Sequence, residues 1–349
     1  ALGSRGDLMG AIRLGCAVLK QAGCPMAPNP SKPHLLIELI LAKSVMKGRT
    51  DDQLMELPNL SDNRQAMVLR LLSSVLLFAF IRGEKSKDLF VTCMLRMTRL
   101  TCRYGLSEMS PIAFAGYGAV HAVLGDLEFG NRLGNLSLRM VDVLHTKDME
   151  CRTIVLTYSL LVMYNKSIAD ARDAFRRSYH VGLASGDIDY AYFGAASSAV
   201  MGYFLGLPLK DLDAECRVLS AEMEEFQLKV AYWTLSSTWQ FVLNYLGRCR
   251  DPTTLEGEAL HPDLLMEIGH SKQLVAMASV RLYELWLAFE FENTAKMERG
   301  IVEVKRLLRI LEGHYAEHNA YLNMGSAAFS MYRLTGKRRF RVIGRRSLR

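Results

Sequence analysis

Hydrophobic residues recur at i, i+3 and i+4 along nearly the whole 349-residue chain, and no stretch alternates apolar with polar as a half-buried strand would. The pattern predicts an all-α protein. Residues 7–21 form an amphipathic helix (Leu8, Ile12, Leu14, Ala17, Val18) closed by Gly23, and Pro25, Pro28, Pro30 and Pro33 mark a proline-rich linker over 24–33. Residues 34–46 make a second helix. Ser61 and Asp62 then offer an N-cap for a long helix running to about Arg82, because their side-chain oxygens can accept from the first free backbone N–H groups. From there helices alternate with very short turns, punctuated at Gly83, Gly105, Gly125, Gly186, Gly206, Gly247, Asn293, Gly313 and Gly336.

The turns are periodic. Successive helix pairs are expected to begin near Ala66, Ser107, Lys147, Asp187, Lys229, Ser271 and Tyr315, in steps of 41, 40, 40, 42, 42 and 44 residues. A fixed step of this size predicts stacked helical hairpins. Gly125-Asp126-Leu127-Glu128-Phe129-Gly130, followed by Leu133, Leu136 and Leu138, resembles the turn into the second helix of a tetratricopeptide unit, and Gly6-Asp7-Leu8-Met9-Gly10-Ala11 repeats it. The step exceeds the roughly 34 residues of that unit, so the repeats are elongated relatives. Small residues at Gly116, Gly118, Ala119 and at Gly194, Ala195, Ala196, Ser197, Ala199 would let neighbouring helices approach closely. The expected architecture is a tetratricopeptide-like α-α superhelix of about seven pairs over residues 1–335, with a basic tail at 336–349.

Composition narrows the class. Half the residues are apolar, which excludes disorder as the main state, and 349 residues exceed what one compact core usually holds. The chain starts at Ala1 with no basic-then-apolar leader, so it is expected to be a piece of a longer protein. Seven scattered cysteines without a Cys-x-x-Cys pair read as small buried hydrophobes in a reducing, cytoplasmic compartment. The formal charge of +7 has one location: Lys337, Arg338, Arg339, Arg341, Arg345, Arg346 and Arg349 are the seven cations of an acid-free tail, and without them 36 Lys and Arg face 36 Asp and Glu. Only the tail can attract polyanions, and as a chain end it is expected to be solvated or frayed, so that deleting it leaves melting almost unchanged.

Longer stretches resemble one family. Asn244-Tyr245-Leu246-Gly247-Arg248, then Asp251-Pro252-Thr253 with Leu255, Gly257 and Glu258, is similar to a loop in the helical region that follows the AAA-type, STAND-like ATPase module of very large hybrid sensor kinases. Residues 10–19, Leu54-Met55-Glu56-Leu57-Pro58, 125–134 and Phe204-Leu205-Gly206-Leu207-Pro208-Leu209 carry the same resemblance in the same order. It covers residues 1 to about 335, is more generic over 86–104 and fails at the tail. The resemblance implies a non-catalytic sensor or interaction array that relays signals to an ATPase or kinase module elsewhere in a two-component signalling protein. Its partners would be proteins or peptides, including other domains of the same polypeptide. The alternative is a free-standing helical-repeat scaffold.

Motifs for chemistry fall short. Gly336-Lys337 is followed by Arg338 and has Met331 where a phosphate loop needs its first glycine, so no cofactor site is expected. Gly116-Tyr117-Gly118 has His121 at the third position of a dinucleotide fingerprint and no strand before it. Gly182-Leu183-Ala184-Ser185-Gly186 misplaces the serine of a nucleophile elbow. His314-Tyr315-Ala316-Glu317-His318 matches the inverted zinc-protease motif, but no acidic residue follows Glu317 to complete the ligand set, and a helix start explains it. Neither a catalytic nor a metal site is therefore expected. The aromatics Tyr232, Trp233, Trp239, Phe241 and Tyr245, and Trp286, Phe289 and Phe291, admit a peptide groove, yet filling gaps between helices explains them more simply. Residues 190–209 are 20 uncharged residues in a row, but Ser197, Ser198, Pro208 and their register with the helix pairs argue against a membrane span. No specific nucleic-acid recognition is expected. Far-ultraviolet circular dichroism of the isolated chain should be helical with no strand component, and the chain should not hydrolyse ATP.

Overall fold

The computed structural model describes residues 7–161, 165–271, 274–311 and 314–348, and every regular element among them is helical. The described residues fall into two compact units, one made of residues up to 165 with 180–187, the other of 166–179 with 188 onward. Helix α9 (Ile168–Ser185) contributes to both.

The first unit holds α1 (Leu8–Gln21), α2 (Lys32–Met46), α3 (Asp51–Met55), α4 (Asn63–Arg82), α5 (Lys87–Tyr104), α6 (Ser110–Val123), α7 (Leu127–Val143) and α8 (Lys147–Leu160). Local chemistry sets the helix starts. The Asp62 carboxylate accepts from the N–H groups of Arg64 at 2.8 Å and Gln65 at 3.2 Å, which makes it the expected cap. The two Gly-Asp turns use one device: Asp7 accepts from Gly10 N–H at 2.8 Å and Asp126 from Phe129 N–H at 3.2 Å. Helix α2 starts two residues before the expected 34, because Pro33 sits in its first turn, where a missing N–H costs nothing. The preceding linker is packed as well, with Cys24 and Met26 buried in the core that α1, α4 and α5 share. Helix α4 is long and apolar enough to cross a membrane, and its Val68, Leu69, Leu72, Val75 and Leu76 are buried in that same core.

The second unit contains α10 (Ile188–Phe204), α11 (Leu209–Glu225), α12 (Lys229–Tyr245), α13 (Pro262–Ser271), α14 (Leu274–Glu290), α15 (Thr294–Leu311), α16 (Ala316–Thr335) and α17 (Arg338–Ser347). Within it α10 packs on α12, α12 on α14 and α14 on α16, while α11 and α15 each bridge two of these. Helix α10 is buried on all sides, through Tyr190, Ala191, Tyr192, Gly194, Ala195, Ala196, Ala199, Val200 and Met201. That burial accounts for the uncharged run at 190–209. Helix α11 instead buries one stripe, Leu212, Cys216, Leu219 and Met223, and leaves its acidic side to solvent.

Helices α4, α6, α8, α10, α12, α14 and α16 begin within three residues of the expected pair starts. Gly83, Gly105, Gly125, Gly186, Gly206, Gly247 and Gly336 all take positive φ at the turns they were expected to make, and Gly313 lies outside the described residues. Asn293 differs. Glu292 takes the left-handed conformation there, with φ of 54°, and Asn293 caps α15 by accepting from Lys296 N–H at 3.1 Å. His145 and Gln227 turn the chain in the same way without glycine.

Helices α6 and α7 cross with their backbones close together. A Cβ on Gly118 would lie 2.9 Å from the Gly130 carbonyl oxygen, and one on Gly130 would lie 2.8 Å from that of Gly118. Backbone, not a flexible side chain, would have to move. Gly130→Ala should therefore destabilise the chain by about 1–3 kcal/mol through overpacking relative to Gly269→Ala, a helical glycine whose Cβ would meet only Met277 at an ordinary 3.7 Å. Urea denaturation of the two variants measures the difference.

Candidate functional site

The six described tail cations, from Lys337 to Arg346, do not lie on a frayed end. Residues 338–347 make α17, which lays Phe340, Ile343, Gly344 and Ser347 against α16, one stripe at i, i+3, i+4 and i+7. The fit is close: a Cβ on Gly344 would meet the Phe329 ring at 2.8 Å, and one on Gly325 would meet Ser347 at 3.0 Å. Phe340 is 2% exposed. Hydrophobic burial thus overrides the usual looseness of a chain end, and deleting 337–349 would strip a packed helix rather than a solvated tail. The cations separate by face. Arg339 pairs with Glu298 of α15 and lies over the Phe340 ring at 4.8 Å. Lys337, Arg338, Arg345 and Arg346 are exposed and Arg341 half-exposed, and none of these five has an acidic partner among the described residues. Arg349 lies outside the described residues.

The catalytic look-alikes resolve into packing. Gly116 and Gly118 lie within α6, against Met94 and Gly130. His121 meets Tyr117 edge-on at 4.7 Å and Phe129 at a tilt at 4.6 Å, and burial, with Lys43 nearby, lowers its pKa. Gly182 to Gly186 is the C-terminal end of α9. His314 precedes α16, which begins at Ala316, and its Nδ1 accepts from Ala316 N–H at 3.2 Å. His314 and His318 therefore do not share one helical face. Among the described residues no group of three His, Cys, Asp or Glu side chains is placed to hold a metal. All seven thiols are free and all but Cys249 are buried, and burial pushes those of Cys16 and Cys102 up to about 11.

The aromatic residues fill the space between α10, α12 and α14. Phe241 stacks on Tyr283 at 4.5 Å, Trp286 meets Tyr203 edge-on at 5.6 Å, and the Trp239 indole donates to Asp213 at 2.7 Å. Trp233, Trp239 and Phe241 are buried and Tyr232 and Phe289 half-buried, while the half-buried Tyr203, Phe204, Tyr245 and Trp286 and the exposed Phe291 lie toward the C-terminal ends of their helices. Their rings pack against one another, Tyr203 on Phe204, Tyr245 and Trp286, and Tyr245 on Phe291.

Two polar clusters escaped the sequence reading. Gln240, fully buried on α12, accepts from the N–H groups of Ala259 at 3.0 Å and Leu260 at 3.3 Å and donates to Asn244. Asn244 in turn donates to the carbonyls of Pro252 at 3.1 Å and Thr254 at 2.8 Å. Asp251 accepts from Thr253, Thr254 and the Lys296 ammonium, which hold its carboxyl well below the usual range. The 244–258 signature is thus a polar clip that fastens a loop to α12 and α15. In the first unit Glu38 of α2, 3% exposed, is paired with Arg96 and Arg99 of α5, and Arg96 also donates to the Pro25 carbonyl at 3.3 Å. Nothing local flags Glu38 as buried, because its partners lie 58 and 61 positions away.

No protein-family model matches the chain, and no curated protein matches it.

Burial holds the His314 imidazole neutral, with its pKa pushed down to about 4. An unfolded imidazole titrates near 6.5, so as pH falls the unfolded state gains its proton first. Stability should decline from about pH 6.5 toward 4, and His314→Asn should flatten that decline in urea titrations. The chain should hold no stoichiometric zinc; tight binding lost in His314→Ala would overturn this account of the motif.

Proposed function

We propose that the chain is a tetratricopeptide-like α-α superhelix of about seven helix pairs, serving as a non-catalytic interaction or sensor array that relays signals to an ATPase or kinase module of a larger cytoplasmic signalling protein. The observation that carries the reading is the recurrence of helix starts every 40 residues or so, with α5 to α8 and α10 to α17 packing on helices one or two apart in the chain, while α1 and α2 reach three helices ahead to α4 and α5. Arrays of this kind bury their cores between neighbours, leave extended surfaces for a protein or peptide, and change curvature through small rotations between repeats. The seven free thiols favour a reducing compartment. The link to an ATPase rests on the resemblance of the 244–258 loop and the stretches in register with it.

The upstream transcript decides between relay and scaffold. A nucleotide-binding module encoded before Ala1 supports the relay, and its absence favours the free-standing scaffold. Where the module is present, deleting residues 63–335 from the full protein should change its rate of ATP turnover; an unchanged rate would sink the relay.

A further inference from the structure

We propose that the outer face of α17 docks on an anionic lipid bilayer, meeting headgroup phosphates with Arg338, Arg341, Arg345 and Arg346 and the interfacial layer with Val342 and Leu348. The proposal goes beyond the interaction-array reading and stands without it.

Burial fixes which face is available. Phe340, Ile343, Gly344 and Ser347 are committed to α16, so at 100° per residue the opposite side carries Arg338, Arg341, Val342, Arg345 and Arg346. These four guanidinium groups span about 12 Å of helix axis. Arg339, on the flank, is neutralised by Glu298, and residues 337–349 hold no acid. Guanidinium binds phosphate with paired N–H groups, and the helix presents its cations already in a row.

Charge alone would suit nucleic acid equally. The aliphatic side chains separate the two. Val342 is 48% exposed in the centre of the cationic face, and Leu348 is 77% exposed at its end. A phosphodiester backbone offers them no apolar counterpart, whereas a bilayer interface does. Single-strand binding normally stacks bases on exposed aromatics, and the one aromatic of the segment, Phe340, is turned inward. The adsorption is peripheral, because the apolar side of α17 is already buried and no part of the helix is released to insert.

Each cation held near an anionic bilayer strengthens binding by about fivefold. The full chain should co-sediment with vesicles of phosphatidylcholine and phosphatidylserine, not with phosphatidylcholine alone, and binding should fall steeply as salt is raised. The variant R338Q/R341Q/R345Q/R346Q should lose on the order of 100-fold or more of that affinity with an unchanged dichroism spectrum. V342S/L348S should weaken vesicle binding several-fold and leave any binding to a DNA duplex unmoved. Should the quadruple variant misfold, the salt dependence of the wild-type chain and the double variant R345Q/R346Q give the same reading. Three results would overturn the proposal: no phosphatidylserine-dependent binding, binding indifferent to the folded arginine variant, or tighter binding to duplex DNA than to the vesicles.

Discussion

Helices buried on every side are the condition on which the rest of this fold depends. In α6 and α10 almost every residue of the central turns is buried, and glycine, alanine and serine keep those turns narrow enough for several neighbours at once. A helix of this kind cannot exist in water alone, since an apolar surface all round must be covered on all sides. Its amphipathic neighbours supply the cover: α7 shields α6, and α11 shields α10 and α12. Two runs that look long and apolar enough for a membrane likewise supply core residues, Val68, Leu69, Leu72, Val75 and Leu76 from one side of α4, and Ala191, Tyr192, Ala195, Ala196 and Ala199 of α10. The same constraint explains the short turns. A helix that must cover its predecessor returns at once, and a left-handed residue after the last turn reverses the chain in the fewest steps.

Cores made of small residues give up some apolar area, and buried polar fasteners complement them. Gln240 and Asn244 satisfy backbone groups of a loop that would otherwise be desolvated without partners, at a cost of about 1–3 kcal/mol for each group left unmade. The Glu38, Arg96 and Arg99 group ties α2 to α5 and, through Pro25, pins the linker between α1 and α2. Such a group adds little net stability over an apolar replacement, but breaking it leaves a buried charge unpaired.

Much of this was legible along the chain, because the deciding interactions are local. The Asp62, Asp7 and Asp126 caps each bond an N–H no more than three residues away, and the glycine turns need only a residue that tolerates positive φ. Helix periodicity and the 40-residue step follow from the same short-range rules, so the all-α class and the helix starts were within reach of the sequence. Which residue takes the left-handed conformation in the turns before α8, α12 and α15 was not, since at His145, Gln227 and Glu292 no glycine marks the place.

The tertiary structure alone decided the long-range matters. That Glu38 is buried, that the 244–258 signature is a clip held to α12 and α15, and that His314 and His318 do not share a helical face all depend on groups distant in sequence or on where a helix happens to begin. The basic C-terminus makes the division clearest. Its charge and its lack of acids are properties of the sequence, and so is the i, i+3, i+4, i+7 stripe of Phe340, Ile343, Gly344 and Ser347. Whether that stripe outweighs the freedom of a chain end depended on finding Phe329, Gly325 and Glu298 in place to receive it, and only the folded neighbours could supply them.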